Sequence, residues 1–554
     1  IIRDDANATA PFPLTDVQAS YLVGRTNAFE HGGVGCHGYT EFTVEGGYTP
    51  AQLTAAWDAV VAAHPMMKCE VHPDGWQRSN PALQVPLQVF DLREEGDGSA
   101  VAAQRASIAA TYRNKVYDIT AGQPLIDAVV TVGPADTVLH VSVDLLLTDF
   151  LGLSVIFADM EQALRHPDTP PSAPSLTFRD YLQSEKLAVE SPAGQRRRER
   201  DRQWWTDRLD SLPPAFALSA EARPEVLRSS TITLDGQEIP HYSRHSTSLS
   251  SAEWAAFTAR AQQRGLTPSA VLMAALGRVL RRYTGLDAGL VTLTVLARQP
   301  FAPDVNRIVG DFTSTALLPL GNDRHQSFAA NAQQVQVDLF ESLDHTAVPG
   351  TEVARMIGRH TGQDNFFTPI VITSTVGAAA DTESEVLIPR VGSGISQTPQ
   401  VLMDVQLSPQ GAGISIDWDT RDGAFSASVL DAAYSDYIAL VRALLSDDAA
   451  VAEAAWEGDG LARRMIPAIA RVASSQPTTG VLGTLHGPIV EQALAHPDAV
   501  AVVDPALVNS GLADSVLVGS MAQEGDESRL AGASARGEVT YRQLLNLALA
   551  IGVT

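Results

Sequence analysis

The chain has 554 residues, 45% of them hydrophobic, and carries 39 basic against 64 acidic side chains, a net charge of −25. That balance keeps a protein soluble and argues against nucleic acid or an anionic membrane as a partner held by bulk electrostatics. Two cysteines, Cys36 and Cys69, make neither a disulfide framework nor a zinc set and fit a reducing cytoplasm, and no apolar run of about 18 residues offers a membrane span.

At about 150 residues per domain the length suggests three or four folding units. The N-terminal "IIRDDANATA" lacks a signal-peptide core, and the abrupt ends look like those of a fragment or an excised module. "AQLTAAWDAVVAAHPMM" has helical apolar spacing, and the strand-like "KCEVHPDGWQ" follows it. "TVLHVSVDLLL" predicts a strand and "LGLSVIFADMEQALRH" a helix. "ESPAGQRRRERDRQ" (190–203) is linker-like, small residues and then a basic run, and reads as a solvated helix start. "GLTPSAVLMAALGRVLRRYTG" predicts a helix with Thr267 at its N-cap, Pro268 in its first turn and Gly285 after its end. "AGLVTLTVLA" and "TPIVITSTVG" predict strands, and "QVLMDVQLSPQGAGISIDWD" a hairpin turning at "PQGAG". Up to about residue 450 the chain therefore reads as two similar α/β halves, each with helices against a mixed sheet. Residues 446–483, rich in Ala, Gly, Asp, Ser and Pro, mark a domain boundary, and 509–538 a flexible insertion between two strands.

The stretch "VSVDLLLTDFLGLS" (141–154) raises a specific question. It places Asp144 and Asp149 in a greasy segment, and a buried carboxylate is costly without a partner. Each aspartate therefore predicts a partner from elsewhere in the chain.

An ordered series of segments surrounds that pair: "FPLTDVQASYLVGR" (12–25), "VGCHGYTEF" (34–42), "HPMMKCEVHPDGWQ" (64–77), "LTFRDYL" (176–182), "WWTDRLDSLPPAFAL" (204–218), "GLTPSAVL" (265–272), "DVNRIVGDFTS" (304–314), "PIVITS" (369–374) and "SQTPQVLMDVQ" (396–406). With Asp144-x4-Asp149 they resemble the heterocyclisation domain of a nonribosomal peptide synthetase, over roughly residues 8 to 447. The resemblance implies an α/β (α+β) fold of the condensation-domain superfamily, with two chloramphenicol-acetyltransferase-like lobes in a V-shaped pseudo-dimer. It implies an N-terminal lobe at 1–185, an inter-lobe linker at 186–225, a C-terminal lobe at 226–447 and an interdomain linker at 448–483. "VTYRQL" and its surroundings resemble the opening of an adenylation domain at 484–554.

The resemblance also implies roles. Asp149 would pair across the lobes with Arg298, and Asp144 would be architectural or contribute to the reaction tunnel. Asp404 is the implied acid and base of cyclodehydration, with Thr373 as its hydroxyl neighbour. Gln397 and Gln400 would orient the substrate amide, and Thr292 and Ser154 would support the tunnel. Asp311 would cap a turn near it, His37 reads as a structural histidine, and Cys36 and Cys69 as packing residues. The chain departs from the family pattern D-x4-D-x2-S at Gly152, and from N-x-T-x-x-N-R at Thr292 and Ala297, while Thr294 and Arg298 remain.

The implied reaction joins a carrier-bound acyl donor to a carrier-bound Cys, Ser or Thr and then closes a thiazoline or oxazoline. Alternatives are condensation without cyclodehydration, or a non-catalytic docking scaffold. No metal or organic cofactor is expected in the heterocyclisation domain. The phosphopantetheine arms belong to upstream and downstream peptidyl carrier proteins, and ATP and Mg belong only to a full adenylation domain downstream in the same polypeptide.

Overall fold

Helix starts follow local chemistry. Thr15, Thr49, Thr177 and Ser250 each close a capping box with the residue three positions on, answering two backbone N–H groups that the first turn leaves open. Thr267 caps the helix from Pro268, and Gly285 ends it in the left-handed conformation that a side chain would strain.

The computed structural model describes residues 1–26, 31–94, 98–216, 231–234, 237–321, 323–363, 366–377, 386–390, 392–458, 500–503 and 538–540. The chain divides into two units, Ile1–Asp459 and Gly460–Thr554. The first begins with β1 (Phe12–Pro13), α1 (Asp16–Gly24), β2 (His37–Val44), α2 (Pro50–Ala63), β3 (Cys69–His72), β4 (Trp76–Ser79), β5 (Leu87–Asp91), α3 (Gly98–Tyr112), β6 (Ile126–Val132), β7 (Thr137–Asp144) and α4 (Phe150–Arg165). Next come α5 (Phe178–Glu190), α6 (Pro192–Thr206), β8 (Thr231–Leu234), β9 (Gln237–Pro240), β10 (Tyr242–Leu249), α7 (Ser251–Gln262) and α8 (Pro268–Thr284). The rest is β11 (Ala288–Leu296), β12 (Thr313–Gly321), α9 (Phe328–Asp344), α10 (Gly350–Thr361), β13 (Ile370–Ser374), β14 (Leu387–Pro389), β15 (Ile395–Gln397), β16 (Met403–Gln410), β17 (Gly413–Arg421), α11 (Ala427–Leu444) and α12 (Ala449–Glu457).

Two mixed sheets organise this unit. The first has the order β14-β2-β7-β6-β5, with β15 also paired to β2; the second has the order β10-β17-β16-β13-β11-β12. Every residue of β7 and β17 is buried, as expected of inner strands covered on both faces. In α8 each residue from Ala270 to Leu280 is buried, which matches its continuous apolar run. The described part of the second unit is one antiparallel pair, β18 (Val500–Val503) and β19 (Glu538–Thr540).

Three features differ from a simple reading of two consecutive halves. First, β14 and β15 come from the second half but pair with β2 of the first, and Val305, Ile308, Val309, Phe312, Val386 and Leu387 join the first half's core. Second, the expected inter-lobe linker is largely helical: Trp205 of α6 enters the second half's core, and Arg198 and Arg202 pair with Glu352. Residues 217–225 of that linker lie outside the described residues. Third, the start of the expected interdomain linker is α12, whose fully buried Trp456 donates to the Leu444 carbonyl at 3.0 Å. The rest of that linker, the expected insertion and most of 484–554 lie outside the described residues.

The halves are also joined by charge. Asp149 caps α4, accepting from the Gly152 N–H at 2.7 Å, and both of its oxygens accept from Arg298 at 2.9 and 3.2 Å. The same guanidinium donates to the carbonyls of Val305, Asn306 and Ile308 and lies 3.9 Å from the Phe312 ring centre. Removing one member of such a pair leaves an unpaired buried charge, which costs about 3–5 kcal/mol. Arg298→Ala should therefore lower the stability of the first unit by that order in urea unfolding, and by more than Asp404→Ala does. Equal losses would count against the pair as the principal tie.

Candidate active site

A cavity of about 2500 Å³ opens between the elements of the two halves. One wall is α1, the Thr148–Asp149 corner and α4, and the facing wall comes from β11, β12, β13, β16 and α10. Asp404, Thr373, Thr292, Gln400, Ser154, Asp149 and Asp311 all line it, whereas Asp144, Arg298 and Gln397 do not.

The sheet register builds the centre. β13 runs parallel to β11 and to β16, with Thr292 beside Val371 and Val371 beside Asp404. Thr373 Oγ1 donates to Asp404 Oδ1 at 3.0 Å, and Thr294 Oγ1 lies 3.1 Å from Thr373 Oγ1. Gln406 Nε2 donates to Asp404 Oδ2 at 2.9 Å. The Gln406 amide has no freedom to turn over, because its Oε1 accepts from Arg244 at 2.9 Å and a guanidinium can only donate. Arg244 is fixed in turn by two bonds of 2.6 Å to Asp419, which also accepts from the Ser396 N–H at 2.7 Å. Each Asp404 oxygen thus receives one hydrogen bond and keeps capacity for a ligand. Burial pushes this carboxyl up to about 6, against the opposing pull of Gln406.

Arg244, Gln406 and Asp419, which form the network behind Asp404, are residues that sequence reasoning passed over. Gln406 carried a usable signal, since it lies two residues from Asp404 and so on the same strand face. Arg244 and Asp419 reach the site only through long-range pairing of β10 with β17 and of β17 with β16.

The other candidates fall into three groups. Thr292 hydrogen-bonds Thr368, and Ser154 donates to the Phe150 carbonyl one turn back at 3.0 Å. Gln400 sits at φ 63, a left-handed conformation costly for a side-chain residue, and its N–H donates to the His31 carbonyl at 3.3 Å. Asp311 is buried on the cavity wall and pushed up to about 7 by that burial; its Oδ1 accepts from the Thr313 N–H at 3.0 Å.

Two residues expected near the tunnel lie elsewhere. Asp144 pairs with Arg25, which also donates to the Tyr117 carbonyl at 3.1 Å, and the Leu146 N–H donates to Asp144 at 2.9 Å. Gln397 turns to the first sheet, donating to the Gly35 carbonyl at 3.1 Å. Burial pushes His37 down to about 3, leaving it neutral beside Ser142 Oγ at 2.9 Å. Among the described residues no group of three or more His, Cys, Asp or Glu is placed to hold a metal ion. No helix there is long and apolar enough to cross a membrane.

The sequence departures have packing counterparts. A Cβ at Gly152 would stand 2.0 Å from Thr148 Oγ1, so the space that a residue-152 side chain would take is filled by Thr148. Ala297 is held through its backbone, with its N–H on the Phe312 carbonyl at 3.2 Å and its carbonyl accepting from Tyr181 at 3.1 Å.

Comparison with known proteins gives three consistent findings. The Condensation domain family matches residues 10–453. Pyochelin synthetase PchF of Pseudomonas aeruginosa is 32% identical over 498 residues, and phenyloxazoline synthase MbtB of Mycobacterium tuberculosis 33% over 511. Each match covers 89% of this chain, which spans only 26% and 34% of those relatives. The solved EpoB cyclization-docking bidomain from Sorangium cellulosum superposes with a TM-score of 0.70 at 31% identity, covering 80% of this chain and 87% of that one.

The Thr148–Gly152 contact makes a test of its own. Gly152→Ser alone should cost about 1–3 kcal/mol by overpacking, and adding Thr148→Ala should recover most of the loss. Thermal unfolding of both single variants and the double variant measures this; strictly additive costs would mean that the two positions do not share one space.

Proposed function

The chain belongs to the condensation-domain family of nonribosomal peptide synthetases, and we propose that it acts there as a heterocyclisation domain. It joins a carrier-bound acyl group to the amine of a carrier-bound Cys, Ser or Thr and then closes a thiazoline or oxazoline with loss of water. The observation that carries this reading is Asp404: a buried carboxyl on the cavity wall, each oxygen held by one donor and its affinity for a proton tuned to about 6.

Ring closure and dehydration move two protons. The thiol or hydroxyl loses one as its heteroatom attacks the amide carbon, and the amide nitrogen loses the other as the C=N bond forms. Both leave in the water made from the carbonyl oxygen. The Asp404 carboxylate takes the first and delivers it to that oxygen, giving a hydroxyl. It then takes the proton from nitrogen and delivers it to the departing hydroxyl, and it ends as it began. A carboxyl near 6 is well suited to both directions at neutral pH. Thr373 donates to the carboxylate, and its hydroxyl lies 3.1 Å from that of Thr294.

The substrates reach the cavity on phosphopantetheine arms of upstream and downstream peptidyl carrier proteins. Arg355 and Arg359, exposed on the α10 side of the wall, offer positive charge to those arms on a chain that is otherwise acidic. Residues 484–554 read as the opening of a downstream adenylation domain on the strength of "VTYRQL".

Intact-mass analysis of the downstream carrier, after reconstitution with loaded donor and acceptor, tests the reading. A product lighter by one water than the linear amide is expected; linear amide at full mass, with no dehydrated species, would leave condensation alone. Asp404→Ala should keep the linear amide and lose the ring, and loss of both products from folded protein would remove the assigned role. Because the base must be ionised, ring formation should rise with pH through about 6 and level off above it. A flat profile across that range would exclude Asp404 as the proton carrier.

A further inference from the structure

In "QASYLVGR" the segment 18–25 forms most of α1, and three of its residues are spent on holding the helix in place. Gln18 is fully buried, donating to the Leu146 carbonyl at 2.7 Å and exchanging bonds of 2.7 and 3.0 Å with Gln77. Gly24 lets the helix end meet Pro399, whose Cβ would be 2.3 Å from a Cβ at residue 24. Arg25 pairs with Asp144. The Gln400 N–H then bonds the His31 carbonyl, so α1 and the loop after it are tied at two points to the segment leading into β16 and Asp404.

The fourth residue is different. Tyr21 packs its ring on the first half's core and lines the cavity, and its hydroxyl makes no hydrogen bond among the described residues. Its surroundings are acidic: after burial, the groups acting on the phenol are Asp311, Cys36, Asp404 and Asp149, in that order, and all hold its proton on. A phenol in that state can donate and does not act as a base near neutral pH. A firmly mounted, unused donor that lines the same cavity as Asp404 is placed to donate to a ligand oxygen there.

We propose that Tyr21 is a catalytic residue of the first half, donating a hydrogen bond to the amide carbonyl oxygen as it becomes an oxyanion during ring closure. This rests on the heterocyclisation reading. In that reaction the oxygen carries charge from the moment the heteroatom attacks until Asp404 returns a proton to it. No proton leaves Tyr21: the O–H donates, strengthens as charge develops, and relaxes when the oxygen is protonated. A preorganised donor of this kind acts mainly on the transition state, and removing one costs on the order of 10²–10³-fold in rate.

The test is Tyr21→Phe, which deletes one oxygen and keeps the ring, in the full chain with loaded carrier proteins. Ring formation should fall by on the order of 100-fold or more in the maximal rate, with little change in acceptor KM. Linear amide should accumulate, and the melting temperature should stay near that of the parent. In a second variant, 3,5-difluorotyrosine at position 21 keeps the donor and should restore ring formation to at least a tenth of the parent rate, which a loss due to packing would not do. Parent-like ring formation by Tyr21→Phe, or no recovery with the fluorinated residue, overturns the proposal while leaving heterocyclisation in place. A parent that yields only linear amide overturns both.

Discussion

The Asp149–Arg298 pair is the interaction on which the rest depends. Its carboxylate caps the start of α4, and its guanidinium gathers the carbonyls of Val305, Asn306 and Ile308. That places Phe312 and the start of β12 against the first half, and β12 is the edge of the sheet that carries the site. Desolvating two charges costs several kcal/mol each, so the pair is justified only by complete answering of both groups. Asp149 comes close to this with Arg298, Gly152 N–H and Phe312 N–H as its donors.

Buried carboxylates elsewhere in the unit are answered to different degrees. Asp419 receives two bonds from one guanidinium and one from the backbone. Asp144 receives a guanidinium and a backbone N–H. Asp404 receives two neutral donors and no direct cation, since Gln406 stands between it and Arg244. That interposed amide keeps the guanidinium one bond removed from Asp404, and burial pushes the Asp404 carboxyl up to about 6. In the proposed reaction an acid and base must be only partly stabilised, and Arg244 reaches Asp404 only through Gln406.

How much of this was legible in the sequence depended on range. Asp149, Arg298, Thr373 and Asp404 sit in ordered motifs, and the contacts expected between them are present. Thr267, Pro268 and Gly285 bound a helix where local chemistry put it. Gln397 was misplaced by one step of strand parity: the neighbouring Ser396 lines the cavity, while Gln397 faces Gly35 on the far side. β14 and β15 were invisible because three residues carry no periodicity, so the crossing of the second half into the first sheet could not be read. Arg25 answers Asp144 across 119 residues, and Arg244 reaches Gln406 across 162, separations at which no local pattern speaks.

The crossing strands bear directly on the chemistry. β15 pairs with β2, and Ser396 within it also bonds Asp419 of the second sheet, so one three-residue strand holds both sheets at once. Immediately after it the chain passes Pro399 against Gly24, then takes Gln400 through a left-handed conformation anchored on His31, and enters β16 at Met403. Such a conformation costs about 1–3 kcal/mol and persists only where the surroundings over-determine it. What the strain secures is spacing: α1 of one half and the Asp404 strand of the other are held by the same short segment. A reaction that needs groups from both walls in one geometry requires that spacing to be fixed before the substrate enters, and a segment with contacts on both sides fixes it without a hinge.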